Sequence, residues 1–320
     1  MGRLRELGKT GIKISPLGLG VMQFAGGKGL FKFAFPSLPE EEKREIVQAA
    51  AAGGINWFDT AEMYGRGLSE RALAAALEDL GVEDDQVIIA TKWMPFLRTA
   101  RNIPRTIGER LDNLHPYTID LYQVHNPWSF SSPGAEMKAM ANLVEAGKIR
   151  SVGVSNFNAD QMRRAHSALQ DRGLVLASNQ VQYSLLHREI ETNGILETAR
   201  ELRVTIIAWS PLASGVLTGK FHNNPRLLEN TPFGRRRMLQ SQIEESQPVI
   251  QVLEEIAREH DAEPAQAALS WLINARGDCV VGIPGASKVD HVQESVGAMD
   301  LVLTSREMER LDEVSLRFRK

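Results

Sequence analysis

Residues 55–65 read INWFDTAEMYG. An apolar run from Ile55 to Phe58 ends on the carboxylate Asp59, and the phenol Tyr64 follows five residues later in a short polar stretch. A buried strand that stops on an acid is the mark of a strand whose far end opens onto something polar. Upstream, PEEEKREIVQAAAAGG (39–54) predicts a helix, with Pro39 and acids at its start and Gly53–Gly54 as its stop. Downstream, SERALAAALEDLG (69–81) predicts another, capped by Ser69 and closed by Gly81.

The alternation continues in both directions. LRELGKTGIKIS (4–15) predicts a hairpin turning at Lys9–Gly11, and PLGLGVM (16–22) a first core strand. After INWFD come the strands VIIATK, IDLYQVH, IRSVGVSN, LVLASNQVQY, VTIIAWS and DCVVGIP, separated by amphipathic helices. Two helices, around Glu244–His260 and Pro264–Asn274, separate the last two strands, and a final helix covers about Ser305–Arg317. Eight strand–helix units of this kind argue for a parallel sheet. In one chain of 320 residues they predict an α/β fold: a closed (β/α)8 TIM barrel with an N-terminal β-hairpin and extra C-terminal helices, one domain over residues 1–320. A doubly wound open sheet is the alternative, and the absence of Gly-x-Gly-x-x-Gly after the first strand counts against it. The one long stretch without a periodic pattern is Ser214–Ser241; it is long for a structureless loop in a compact domain, so it is either a functional loop or a segment whose elements the pattern does not reveal.

Composition narrows the partners. A net charge of −3 and a pI near 6.2 favour neither nucleic acid nor an anionic membrane. The single cysteine, Cys279, sits in the apolar run CVVGI, which suits packing in a reducing compartment. The N-terminal MGRLRELGKTG has no apolar signal region and no run reaches membrane-spanning length, so a cytoplasmic location is expected.

In such a barrel the chemistry lies at the C-terminal ends of the strands. Those ends carry Asp59, Lys92, His125, Ser155–Asn156, Gln180 through Tyr183, and Trp209–Ser210. Each has a plainer role when taken alone: Asp59 as a turn cap, Lys92 as a solvated loop cation, His125 as a turn former before Asn126–Pro127, Tyr64 as a packed rim ring. Convergence on one mouth favours chemistry. A phenol with a pKa near 10 is too weak an acid for work at neutral pH. A lysine ammonium ~4 Å away at an effective dielectric of ~20 stabilises the phenolate by at most about 4 kcal/mol, a few pKa units downward. Asp59 would pair with Lys92, and His125 would orient a substrate oxygen. The set suits proton delivery to a carbonyl oxygen while a hydride, most simply from a nicotinamide, reaches carbon. No metal-ligand spacing is present, and His166 and His260 fall on helices as structural residues.

These residues resemble the aldo-keto reductase superfamily over essentially the whole chain. INWFDTAEMYG is similar to its FDTAxxYG segment, and IDLYQVHNP, SVGVSNF, NQVQYSLLHR, IIAWSPLASGVLTGK and GIPGASKVDHVQES follow in the family's order. The flavour of WSPLASGVLTGK resembles the bacterial, plant and potassium-channel β-subunit branches. The resemblance implies an NADPH-dependent reductase of aldehydes or ketones. On it, Asp59, Tyr64, Lys92 and His125 form the catalytic tetrad, with Tyr64 the general acid. Ser155, Asn156 and Gln180 would hold the carboxamide, and Trp209 would stack on the nicotinamide. Ser210, Pro211, Leu212 and Lys220 would line the pyrophosphate; Gly285, Ser287, Lys288, His291 and Glu294 would meet the adenosine end. The chain departs from the family near His291 and at Ser295, where Gln and Asn commonly hold the adenine.

Two other readings remain open at this level. One is a nucleotide-binding regulatory relative with little turnover; the other is a Schiff-base lyase using Lys92. The substrate would be a small carbonyl compound selected by the rim: Gln23–Pro36, whose GGKGLFKFAFPS suggests an aromatic lid or, equally, a packed surface loop, the Trp93–Thr99 loop, Trp128–Phe130, and the long loop, where Arg235–Arg237 could fold over phosphates or be a solvated charge run. Trp93, Trp128 and Phe130 suggest an apolar or aromatic aldehyde.

Overall fold

The computed structural model describes residues 4–26, 37–229 and 233–320, with the backbone alone for Phe233, Gly234, Arg235 and Met238. Residues 27–36, which make up all of GGKGLFKFAFPS but its first and last residues, lie outside the described residues.

The expected hairpin forms from β1 (Arg5–Glu6) and β2 (Lys13–Ile14), paired antiparallel. Its apolar residues Leu7, Ile12 and Ile14 cluster with Trp57, Ala90, Leu121, Ile207 and Val281 from the barrel interior. Arg5 donates to the carbonyls of Val280 at 2.5 Å and Ile273 at 2.6 Å, and the Gly8 amide donates to Thr205 Oγ1 at 2.7 Å. Val280 and Thr205 open their strands, so the hairpin closes the N-terminal mouth of the barrel.

Eight parallel strands follow: β3 (Leu19–Gly20), β4 (Trp57–Asp59), β5 (Ile88–Trp93), β6 (Leu121–Val124), β7 (Ser151–Ser155), β8 (Leu176–Gln182), β9 (Thr205–Trp209) and β10 (Val280–Ile283). Each pairs with the next in order. The ring is closed between the first and last strands by parallel bridges Leu17 to Gly282 and Gly20 to Gly285, with the Gly18 amide on the Gly282 carbonyl at 2.8 Å. This closure excludes the open-sheet alternative. Outside the ring lie α1 (Glu40–Ala52), α2 (Leu68–Asp79), α3 (Ile103–Leu114), α4 (Pro133–Glu145), α5 (Ala159–Gln170) and α6 (Ile195–Leu202). Between β9 and β10 come α7 (Lys220–Asn223), α8 (Phe233–Glu259) and α9 (Pro264–Asn274), and after β10 come α10 (Val289–Asp300) and α11 (Ser305–Val314).

Strand side chains alternate with a period of two, so inward positions two residues apart stack as layers. The lower layer is apolar: Trp57, Ala90, Leu121, Ile207 and Val281. Two residues on, the layer holds Asp59, Lys92 and Gln123, joined by Gln180. Trp57 fits because Gly18 lacks a side chain; a Cβ there would lie 2.3 Å from the indole.

Two expectations are corrected. Ser69 does not cap α2. Gly67, in the left-handed region at φ 82, is the N-cap, and the buried Ser69 hydroxyl instead donates to the Val21 carbonyl at 2.6 Å. The stretch 214–241 is also not one loop. It holds a turn over Ala213–Thr218, α7, a turn over Pro225–Leu228 and the first part of α8. Helix α8 starts eleven residues before the expected Glu244 because Leu239, buried at 1% exposure, extends the apolar stripe of Ile250, Leu253 and Ile256 backwards past Pro248. Arg236 turns to the carbonyls of Leu228 and Glu229, at 3.0 and 2.5 Å.

Behind the mouth, the fully buried Arg188 pairs with Glu191 at 2.9 Å and Asp312 at 2.8 Å, and stacks 5.0 Å from the Trp271 ring. Its backbone amide takes the Phe318 carbonyl, which ties the last turn of the chain to the loop after β8.

Candidate active site

The polar layer is built by strand ends. Asp59 closes β4 and Lys92 is the penultimate residue of β5; both are essentially fully buried. The Lys92 ammonium donates to Asp59 Oδ1 and to the Thr60 carbonyl at 2.8 Å. The other Asp59 oxygen accepts from Gln180 Nε2 at 2.8 Å and Gln123 Nε2 at 3.3 Å. A buried ion pair is tolerable only when its remaining lone pairs are satisfied in this way. Burial alone would lower the Lys92 pKa, but Asp59 and Tyr64 outweigh it and the ammonium is held above its ordinary value.

Tyr64 comes from the β4–α2 loop, and the Lys92 ammonium sits 5.1 Å from its ring centroid and hydrogen-bonds to its phenol. His125 follows β6, its amide on the Trp93 carbonyl at 3.0 Å, and its ring meets the Tyr64 ring edge-on at 5.9 Å and 85°. The four residues proposed from sequence are therefore brought together. Their electrostatics differ from the simplest expectation: burial pushes the Tyr64 phenol up, and the opposing pull of Lys92 does not overcome it. Burial and the Lys92 charge push the His125 imidazole down to about 3, so the ring is neutral. His125 Nδ1 is buried with no hydrogen-bond partner among the described residues.

Beside the tetrad, Ser155 donates to the Gln180 carbonyl at 2.8 Å, and Asn156, in the left-handed region at φ 60, donates to Asn126 Oδ1 at 2.9 Å. The Trp209 indole donates to Asn156 Oδ1 at 3.1 Å, which fixes the plane of the half-buried ring. The chain then turns sharply: Ser210, Ala213 and Ser214 all take positive φ, between 47° and 56°. Non-glycine residues in that region cost roughly 1–2 kcal/mol each and gather at functional turns. Pro211 and Leu212 lie inside this turn.

The third group lies further round. A cavity of about 200 Å³ is lined by Thr218, Lys220, Glu263, Ala265, His291 and Glu294. Lys220, assigned above to the pyrophosphate, thus shares one cavity with His291 and Glu294, assigned to the adenosine end. Gly285, Ser287 and Lys288 do not line it. Gly285 packs against Gln23, so closely that a Cβ would lie 2.3 Å from Gln23 Nε2. The Ser287 amide donates to His291 Nδ1 at 3.4 Å, and Lys288 is the exposed N-cap of α10. Ser295 bonds back to the His291 carbonyl at 2.9 Å.

Trp93 is not a rim residue. It is fully buried, because the inward turn of Lys92 sends its neighbour outward among the helices. Sequence reasoning missed Gln123, Asn126 and Glu62. The inward register of IDLYQVH, two residues before His125, was the available signal for Gln123. Asn126 is visible only through its tertiary bond to Asn156. Among the described residues there is no cluster fit to hold a metal ion and no helix long and apolar enough to cross a membrane.

A closed parallel barrel whose C-terminal face gathers an acid, an amine, a phenol and an imidazole beside a held indole defines a barrel oxidoreductase. The Aldo/keto reductase family model matches residues 16–316. An uncharacterised oxidoreductase of Mycobacterium tuberculosis is 35% identical over 96% of this chain and 91% of its own length. The chloroplastic pyridoxal reductase of Arabidopsis thaliana is 33% identical over 94% and 83%. The crystal structure of the thermostable aldo-keto reductase Tm1743, in complex with the inhibitor epalrestat, superposes with a TM-score of 0.77, at 30% identity, covering 98% of this chain and 99% of that one. The chain belongs to the aldo/keto reductase family, and it is an oxidoreductase.

Proposed function

We propose that the protein, acting as one barrel domain, reduces an aldehyde or ketone to the alcohol with NADPH, with Tyr64 as the proton donor. The observation that carries this reading is the buried Lys92 ammonium, neutralised by Asp59 and still bonded to the Tyr64 phenol. A lysine so engaged is a poor Schiff-base nucleophile, which counts against the lyase alternative.

The residues fit a nicotinamide dinucleotide. Ser155, Asn156 and Gln180 offer hydroxyl and amide groups beside the oriented Trp209 indole, and the cavity with Lys220 and His291 lies on the same face, past the strained turn after β9. When bound, the nicotinamide supplies the hydride. Tyr64 gives its proton to the carbonyl oxygen. Lys92 stabilises the phenolate left behind, and Asp59, held by Gln123 and Gln180, keeps Lys92 charged and in place. Neutral His125 offers a ring N–H to orient that oxygen. Ser287 and Lys288 would meet a 2′-phosphate, and Lys220 the pyrophosphate.

Oxidation of NADPH by the wild-type protein, followed by absorbance with an aromatic aldehyde such as pyridoxal, tests the reading; pyridoxal is chosen because a relative carries its name. No turnover with any carbonyl, despite tight cofactor binding, would favour the regulatory alternative. The pH profile has a stated form. Reduction requires the protonated phenol, which exists below its raised pKa, and His125 does not titrate near neutrality. The expected kcat for reduction is therefore flat between about pH 5 and 9, with no limb near the ordinary histidine value of ~6.5. A limb there would show that His125 is not held neutral. For the cofactor, Lys288→Glu is expected to weaken NADPH by about tenfold or more in fluorescence titration while NADH changes little; equal weakening of both would remove Lys288 from the 2′-phosphate.

A further inference from the structure

Glu62 lies between Asp59 and Tyr64 in sequence, yet it takes no part in the tetrad. It is almost fully buried and points across the mouth into the next loop. Its carboxylate accepts from the Met94 amide at 2.9 Å and from Arg98 Nη1 at 2.7 Å, and Arg110 approaches it at 3.4 Å. Arg110, fully buried, also meets Glu70 at 2.8 Å, so Arg110 suffices to anchor α2 to α3. The contacts to Met94 and Arg98 do something else. They bind the loop carrying Tyr64 to the loop after β5.

Arg98 then passes the connection on. Its carbonyl accepts from the Phe130 amide at 2.9 Å, in the loop that follows His125. Three adjacent loops are thus joined in series: the Glu62–Arg98 ion pair and the Glu62–Met94 bond link the first two, and the Arg98 carbonyl, with the Ala100 amide donating to Ser131 Oγ at 3.0 Å, links the second to the third. Between the anchors, Leu97 is held in the left-handed region at φ 55, a conformation that a bulky residue does not keep unaided. The outcome is a set of large apolar side chains turned to solvent on the face where the tetrad opens: Met63, Phe96, Leu97, Trp128 and Phe130, from 39% to 74% exposed. Exposed apolar groups gathered in this way mark a binding surface.

We infer that Glu62 and Arg98 are positioning residues for substrate selection. Their ion pair fixes the apolar wall formed by the three loops relative to Tyr64, and so selects carbonyl compounds with an apolar or aromatic body over small ones. The inference rests on the carbonyl-reductase reading above and goes beyond it by assigning selection to a pair that need not touch the substrate.

The test is Arg98→Met, which leaves Glu62 its bonds to Met94 and Arg110, with Arg98→Lys as a charge-preserving comparison. Two readouts are needed. Amide hydrogen exchange, independent of turnover, is expected to quicken by about tenfold or more at Met94 and Phe130 in Arg98→Met, to be partly restored in Arg98→Lys, and to stay unchanged at His125. Steady-state kinetics are expected to show KM for an aromatic aldehyde raised about tenfold, with kcat within about twofold and both constants for propanal unchanged. Unchanged exchange overturns the clamp. Faster exchange with equal losses for both aldehydes overturns its role in selection. Should wild type reduce no carbonyl, the reductase reading fails, and the exchange arm alone decides whether the pair holds the loops.

Discussion

Replacing Tyr64 by phenylalanine is expected to lower kcat for carbonyl reduction by roughly 10²–10⁴, the usual contribution of a positioned acid. The ring remains and its edge-on contact with His125 is kept, so the loop has no reason to move. The lost oxygen is the one bonded to Lys92, whose ammonium stabilises the phenolate left when the proton is given up. Cofactor affinity, measured by fluorescence titration, should change by less than about twofold, since the phenol serves the substrate oxygen. A variant that binds cofactor normally and retains wild-type kcat would remove Tyr64 from the chemistry and direct attention to His125.

The second large effect concerns the Asp59–Lys92 pair. Both groups are at 2% exposure or less, and each is satisfied chiefly by the other. Asp59→Leu alone leaves a buried ammonium with only the Thr60 carbonyl and the phenol, and Lys92→Met alone leaves a carboxylate with two amides. Losing one member of such a pair costs about 3–5 kcal/mol, a fall in Tm on the order of 10 °C. The double variant Asp59→Leu/Lys92→Met should regain much of that stability, since a packed apolar pair replaces the ions without stranding a charge. It should regain none of the activity, because the phenolate then has no counter-charge. Thermal melts beside kinetics of the three variants separate the effects. Additive melting-point losses in the double variant would mean that the two groups are not coupled.

The order of strands and helices was legible because each strand run is short, apolar and bounded by glycine, proline or charge, and because the strand ends carry residues with no packing purpose. VIIATK and IDLYQVH even place Lys92 and His125 correctly at the mouth. Other features are set by tertiary contact. Ser69 looks like a cap until the Val21 carbonyl takes its hydroxyl. The early start of α8 depends on what Leu239 packs against, and a proline within the pattern at Pro248 obscures it. Residue type alone suggests the rim for Trp93, but its place beside an inward lysine settles the side it faces. For the site, type and order were enough to gather the tetrad, but the balance of charges was not. The ordering of burial over the pull of Lys92 at Tyr64 follows from depth, which no motif encodes. Glu62 lies inside the most recognisable segment of the chain, and its partner Arg98 is thirty-six residues away, within a loop that has no pattern.

The manner of ring closure has a consequence for synthesis. The strand around Leu19 completes its pairing only with the segment around Gly282, and Arg5 finds its carbonyl acceptor 275 residues later. At ribosomal rates of ~5–20 residues per second, roughly 14–55 s separate the emergence of the two partners. Through that interval the nascent chain presents an unpaired strand edge and an uncovered barrel floor, the surfaces on which chains aggregate. Folding is then governed by contacts distant along the chain, which are slow to form. Yield on expression should accordingly respond more to temperature and chaperone supply than the compactness of the finished barrel would suggest.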